Sequence, residues 1–174
     1  CISSAGIGTV HKMQYLKKDG GIVLNLFICG EAAIETPAGK SVKFVTETDY
    51  PKSGNVKISV YPEAEEEFEL LIRNPYWSKN TKISVNSQDI NVEKGYITLD
   101  REWKNGDIIE IEFDMRTEAI RPISYGSQVL MNEVIWGHNY MVPTFDREDP
   151  IAYRHIALRR GPIMLAQENR LGYS

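Results

Sequence analysis

Two thiols, three imidazoles and one crowded stretch of acids and aromatics hold most of the chemistry this chain could perform. The thiols are Cys1 and Cys29. A cysteine acts as nucleophile or metal ligand through its thiolate, which needs a metal or a cationic neighbour to form at neutral pH. On the residues alone Cys1 is a terminal thiol. Cys29 closes the run Val23-Leu24-Asn25-Leu26-Phe27-Ile28 and reads as a small buried hydrophobe. A Cys1–Cys29 disulfide is compatible with the sequence, but two cysteines are too few to staple a secreted scaffold. His11, His138 and His155 have no Cys or His at ligand spacing. Asp146, Glu148 and Asp149 cluster, and a glycosidase needs two carboxylates about 5 to 9 Å apart across the sugar. Charged loop tips are the simpler reading of that cluster. Trp136-Gly137-His138-Asn139-Tyr140 offers aromatic faces to the apolar side of a sugar ring and an amide to its hydroxyls. Packing against another domain is the competing use for Trp136, His138 and Tyr140. Gly6-Ile7-Gly8 and Gly20-Gly21 do not lead from a strand into a helix, so they do not form a dinucleotide site.

The elements that must position these groups are mostly strands. Ile7, Val10, Met13 and Leu16 have helical spacing and predict a short N-terminal helix within 1–20, stopped by Asp19-Gly20-Gly21. Its apolar face would meet a neighbouring domain. From residue 21 the period changes to two. Val56-Lys57-Ile58-Ser59-Val60, Ile83-Ser84-Val85 and Ile109-Glu110-Ile111-Glu112-Phe113 alternate, which puts one face in a core and the other in water. Further strands are expected over 22–28, 32–36, 41–48, 67–72, 96–99, 117–121, 155–159 and 163–166. Pro51-Lys52-Ser53-Gly54, Asn74-Pro75, Lys94-Gly95 and Asn105-Gly106-Asp107 are turns. Many short strands at this spacing predict an antiparallel, jelly-roll-like β-sandwich over 21–174, interrupted by a long loop at 122–153. Trp77 and Trp103 are expected in its core. The run Glu63-Ala64-Glu65-Glu66-Glu67 reads as a solvated turn.

The chain has 174 residues, 42% hydrophobic and 25% charged, enough for a core without staples. A net charge of −4 with no basic stripe argues against nucleic acid as a partner. No apolar run approaches the roughly 18 residues that span a bilayer. No signal peptide is visible, and a chain starting at Cys1 is expected to be processed, trimmed or cut from a longer one. A lipidated N-terminal cysteine is the alternative. The compartment, bacterial periplasm or cytoplasm, stays open.

A set of short motifs then acquires meaning from its order. They are Val23-Leu24-Asn25-Leu26-Phe27, Thr48-Asp49-Tyr50-Pro51, Leu71-Ile72-Arg73-Asn74-Pro75-Tyr76-Trp77, Val85-Asn86, Gly95-Tyr96, Arg101-Glu102-Trp103-Lys104-Asn105-Gly106-Asp107 and Ala157-Leu158-Arg159-Arg160-Gly161-Pro162 with Glu168. In that order and spacing they resemble the C-terminal half of the beta-L-arabinofuranosidase family, glycoside hydrolase family 127. Asn74 stands where the family has an aliphatic residue, and Ser87 where it has Gly.

The resemblance implies a bacterial enzyme of carbohydrate metabolism, with an (α/α)6 barrel holding the active site followed by β-sandwich domains. It implies a cysteine nucleophile in a zinc site of cysteines and a glutamate, with another glutamate as general acid/base. Cys1 would be one member of the barrel's Cys-Cys pair. As the second member it is a zinc ligand and the nucleophile precedes it; as the first it is the nucleophile and Ile2 replaces its partner. Zinc requires more ligands than one thiol, so zinc is expected in the parent enzyme and none in this chain alone. The expected partners are the missing N-terminal barrel and arabinose-containing plant glycans. The expected function is a non-catalytic β-sandwich domain of such a hydrolase. An autonomous carbohydrate-binding module and a structural or adhesion sandwich are the alternatives.

Overall fold

Val56, Ile58 and Val60 are buried, and the residues between them face outward. The same period of two runs through Val42, Phe44 and Thr46, through Phe68, Leu70 and Ile72, and through Ile109 and Ile111. A chain patterned in this way buries its apolar set by laying one sheet on another. The computed structural model describes residues 8–120 and 157–165. They divide into two compact units between Met115 and Arg116.

The first unit contains β1 (Tyr15–Lys18), β2 (Gly21–Leu24), β3 (Gly30–Glu35), β4 (Ser41–Thr48) and β5 (Asn55–Pro62). It continues with β6 (Glu66–Asn74), β7 (Lys82–Val85), β8 (Gln88–Asp89), β9 (Gly95–Trp103) and β10 (Asp107–Glu112). One sheet has the order β1-β2-β6-β9 and the other β3-β4-β5-β10-β7-β8. Pairing in this unit is antiparallel except between β2 and β6, which run parallel with Leu24 opposite Ile72. The two inner faces share one core, in which Trp103, Phe44, Ile22, Leu70 and Ile109 are fully buried. Tyr15 joins the sheets directly. Its ring stacks on Phe44 with centroids 4.8 Å apart, and its hydroxyl lies 3.2 Å from Thr46 Oγ1.

Local sequence explains the ends of the strands. Asn86 and Ser87 both have positive φ (50° and 65°), as the two-residue turn closing Val85 onto Gln88 requires. Gly54 is needed for a close approach: a Cβ there would stand 2.3 Å from Phe113 O. The Gly54 carbonyl instead accepts from the Phe113 N–H at 2.9 Å.

Two expectations require correction. The helical spacing over the first 18 residues yields, among the described residues, a short helical turn ending in a 3-10 segment at Val10–Met13, and Tyr15–Lys18 are strand β1. A helix this short is marginal by itself, and burial of Tyr15 against Phe44 and Thr46 draws the chain into the sheet instead. Cys29 is exposed rather than buried, because β2 stops at Leu24 and the alternation is not carried through to residue 29. Trp77 and Trp103 are buried as expected.

The second unit shows β11 (Thr117–Ile120), β12 (Ala157–Arg160) and β13 (Ile163–Leu165) in one antiparallel sheet. Arg159 Nη2 meets Glu118 Oε2 at 2.7 Å across it.

Candidate functional site

The family motifs converge on the two ends of the sandwich. At one end Phe27, Tyr50, Trp77 and Phe113 come from four separate segments and form one aromatic cluster. Phe27 and Trp77 meet Phe113 edge-on, with centroids 4.8 and 5.8 Å away. Tyr50 stacks near Trp77 at 6.4 Å. Burial raises the Tyr50 phenol pKa, and the Arg73 charge opposes that rise. The turn carrying Trp77 is held by side chains. Asn74 Nδ2 donates to the Glu93 carbonyl (2.9 Å), and the Thr81 hydroxyl donates to Asn74 Oδ1 (2.7 Å). Thr81 Oγ1 also lies 2.7 Å from Ser78 Oγ, which accepts from the Asp114 N–H at 2.9 Å. Asn74, which departs from the family pattern, is thus the residue that ties this turn.

At the other end Asp107, 7% exposed, accepts from Asn86 Nδ2 (2.8 Å) and from the Lys104 N–H (2.9 Å). Asn86 Oδ1 accepts in turn from the Ile108 N–H at 2.9 Å. Trp103 Nε1 donates to the Phe68 carbonyl at 3.0 Å. The acidic run is also structural. Glu66 accepts from the Thr36 hydroxyl (2.7 Å) and the Ala38 N–H (3.1 Å), and Glu63 accepts from the Ser41 N–H (3.1 Å), so the run clasps the β3–β4 hairpin. Local sequence shows only a solvated charge run, because the partners Thr36, Ala38 and Ser41 are remote in the chain.

Two hollows lie on the surface formed by the described residues. One, of about 860 Å³, is bordered by Asn74, Tyr76, Lys79, Asn80, Glu93 and Lys94, with Tyr76 78% exposed at its rim. The other, of about 360 Å³, lies over β5, β10 and β7 and is lined by Glu47, Lys57, Lys82, Asp89, Glu110 and Glu112.

The site residues expected from sequence, Cys1, Trp136, His138 and Tyr140, lie outside the described residues, as do Asp146, Glu148 and Asp149. Among the described residues no three His, Cys, Asp or Glu side chains gather as a metal site requires. The zinc implied by the resemblance needs several cysteines and a glutamate together, and exposed Cys29 lacks that company. The donor set therefore does not fit within the described residues. No described helix is long and apolar enough to cross a membrane.

This architecture is a mainly antiparallel β-sandwich whose motif residues close its ends by aromatic packing and buried hydrogen bonds. The chain belongs to the beta-L-arabinofuranosidase family GH127, whose middle-domain model matches residues 21–115. Among solved structures it is similar to a GH127 beta-L-arabinofuranosidase from Geobacillus stearothermophilus T6, with 28% identity and a TM-score of 0.70 over 91% of this chain and 22% of that one. A structure described as a glycoside hydrolase gives 24% identity and a TM-score of 0.69, over 91% of this chain and 23% of that one. A GH127 beta-arabinofuranosidase gives 21% and 0.69, over 91% of this chain and 24% of that one. These two show the fold alone. No curated protein matches. The chain spans less than a quarter of the length of each of these three structures.

Proposed function

We propose that this chain is a non-catalytic β-sandwich domain of a GH127 hydrolase, bracing the part of the enzyme that performs the reaction. The observation that carries this reading is the family match over residues 21–115 together with what the motif residues do there. Phe27, Tyr50, Trp77, Trp103, Asn86 and Asp107 are spent on rings, turns and buried hydrogen bonds. In this reading Cys1 belongs to the cysteine pair at the end of an upstream barrel, and zinc is held there. Arabinose-containing plant glycans are the substrates of the whole protein. The test is hydrolysis of an aryl β-L-arabinofuranoside by the 174-residue chain with zinc added. Release at the rate of a buffer blank is expected, and turnover above it overturns the reading.

A second reading, a carbohydrate-binding module, has one specific observation in its favour: Tyr76 stands 78% exposed at the rim of a cleft with amides and charges beside it. Aromatic faces of this kind stack on sugars. Retention on an arabinan affinity gel, lost in Tyr76→Ala, would favour it over the first. Retention lost in Trp136→Ala would instead point to the 122–153 segment.

A further inference from the structure

Asn105-Gly106 is the one Asn-Gly pair in the sequence. It forms the tip of the turn between β9 and β10, where both residues are exposed. An asparagine followed by glycine carries its own reaction partner. The backbone nitrogen of the following residue can attack the side-chain amide carbon, and glycine, with no Cβ, leaves that approach uncrowded. Elsewhere among the described residues asparagine is followed by Leu26, Val56, Pro75, Thr81, Ser87 or Val92. Their side chains stand in the way, and Pro75 has no N–H to give up.

The nearest rival is Asn86-Ser87, since serine is small. The Asn86 amide is fixed at both atoms. Its Nδ2 donates to Asp107 Oδ1 at 2.8 Å, and its Oδ1 accepts from the Ile108 N–H at 2.9 Å. The Asn105 amide makes no hydrogen bond among the described residues, so its side chain is free to turn onto its own backbone. What holds the reaction back at Asn105 is the main chain. The Gly106 N–H donates to the Val60 carbonyl at 2.9 Å, and the Asp107 N–H closes the turn onto Lys104 O at 3.1 Å. Buried Asp107 adds a third restraint by accepting from the Lys104 N–H at 2.9 Å. While these bonds stand, the Gly106 nitrogen is a donor held on β5 and keeps its proton.

We propose that Asn105 is a site of spontaneous deamidation, gated by release of the β9–β10 turn from β5. When the turn opens, the Gly106 nitrogen loses its proton and bonds to Asn105 Cγ. The Cγ–Nδ2 bond breaks, and Nδ2 takes up a proton and departs as ammonia. Water then opens the succinimide ring. Addition at Cγ gives aspartate on the original backbone. Addition at the main-chain carbonyl gives isoaspartate, whose backbone runs through Cγ and is longer by a carbon. Either product places a new negative charge two residues from buried Asp107. The isoaspartate also shifts Gly106 and Asp107 along the chain, so the bonds to Val60 O and from the Lys104 N–H are not kept together. A network that depends on every partner being present is thereby loosened.

The experiment incubates the 174-residue chain in mildly alkaline buffer and reads deamidation at each asparagine by mass spectrometry after digestion. In the folded chain Asn105 should react about tenfold or more faster than Asn86, and about tenfold or more slower than it does in strong urea. Asp107→Ala frees the Lys104 N–H and should speed the reaction at Asn105 several-fold. If that variant does not fold, urea just below the unfolding transition should give the same acceleration in the native sequence. No product at Asn105, or equal rates at Asn105 and Asn86 in the folded chain, overturns the site. A rate at Asn105 that neither strong urea nor loosening of the turn changes overturns the gate. The aged chain, purified by its added charge, should unfold at lower denaturant than Asn105→Asp, which has the charge without the longer backbone. Equal midpoints would overturn the loosening of the polar network.

Discussion

The two ends of the sandwich are closed by opposite means. At the Gly54–Phe113 end, four aromatic rings from four segments pack together, and the hydrogen bonds there serve to aim the turn beneath them. At the Val60–Asp107 end, a buried carboxylate and an asparagine amide hold the β7–β8 hairpin to β10. The aromatic end gains by removing area from water, which tolerates small displacements. The polar end gains by pairing groups that would be costly to bury unpaired, and its value depends on every partner being present. Damage should therefore spread at the first end and stay local at the second.

The largest effect is expected at the aromatic end. Phe113→Ala removes the ring that Phe27, Tyr50 and Trp77 all contact, and should cost about 3 to 5 kcal/mol. Chemical denaturation read by tryptophan fluorescence checks it. A loss below about 1 kcal/mol would mean that the cluster is not a keystone.

Alkali should act at the aromatic end through Tyr50 and, more strongly, in the core beyond it through Tyr15, which stacks on Phe44. Burial pushes the Tyr15 phenol up to about 12, against 10.0 when unburied, and raises Tyr50 as well. The folded state thus keeps these phenols neutral after the unfolded chain has begun to release their protons. Stability is fully present below pH 10 and declines as pH rises towards 12. For Tyr15 the loss amounts to about 2 to 3 kcal/mol. Tyr15→Phe should flatten this decline while lowering stability at pH 8 through loss of the Thr46 contact. An unchanged slope would remove Tyr15 from the account.

Much of this was legible in the sequence, and the remainder was not, for physical reasons. Alternation in 41–48, 55–62 and 107–112 marks which residues enter the core, because side chains in a strand alternate whatever the partner. It says nothing of which strand lies beside which. The parallel β2–β6 pairing depends on contacts between residues some fifty apart in the chain. The tie at the Pro75 turn is made by Asn74, an amide that both donates to the Glu93 carbonyl and accepts from the Thr81 hydroxyl, partners that local spacing does not show. Tyr15 broke the apparent helical period because its partners Phe44 and Thr46 are remote, and local spacing cannot register them. The expected site residues Cys1, Trp136, His138 and Tyr140 fall outside the described residues.

At the polar end, Asp107→Ala leaves Asn86 Nδ2 and the Lys104 N–H without their acceptor and should cost about 1 to 3 kcal/mol. A double-mutant cycle with Asn86→Ala sharpens the contrast. The two losses should fall short of adding by about 0.5 kcal/mol or more, because both remove one shared network. Strict additivity would show that the two residues act independently and that this end is not a network.

The smallest effect should be a gain. Ser87 holds φ at 65° in the β7–β8 turn, a region that a side chain with a Cβ enters at a cost and that glycine enters freely. The neighbouring Asn86 is suited to positive φ and is already engaged with Asp107, so the turn cannot relax by changing type without breaking those bonds. Ser87→Gly should therefore stabilise the chain by about 0.5 to 1 kcal/mol, less the entropy that glycine adds to the unfolded state. The gain should vanish in an Asp107→Ala background, where the turn is no longer pinned. A gain of equal size in both backgrounds would mean that the strain belongs to the turn alone, and that the polar network does not impose it.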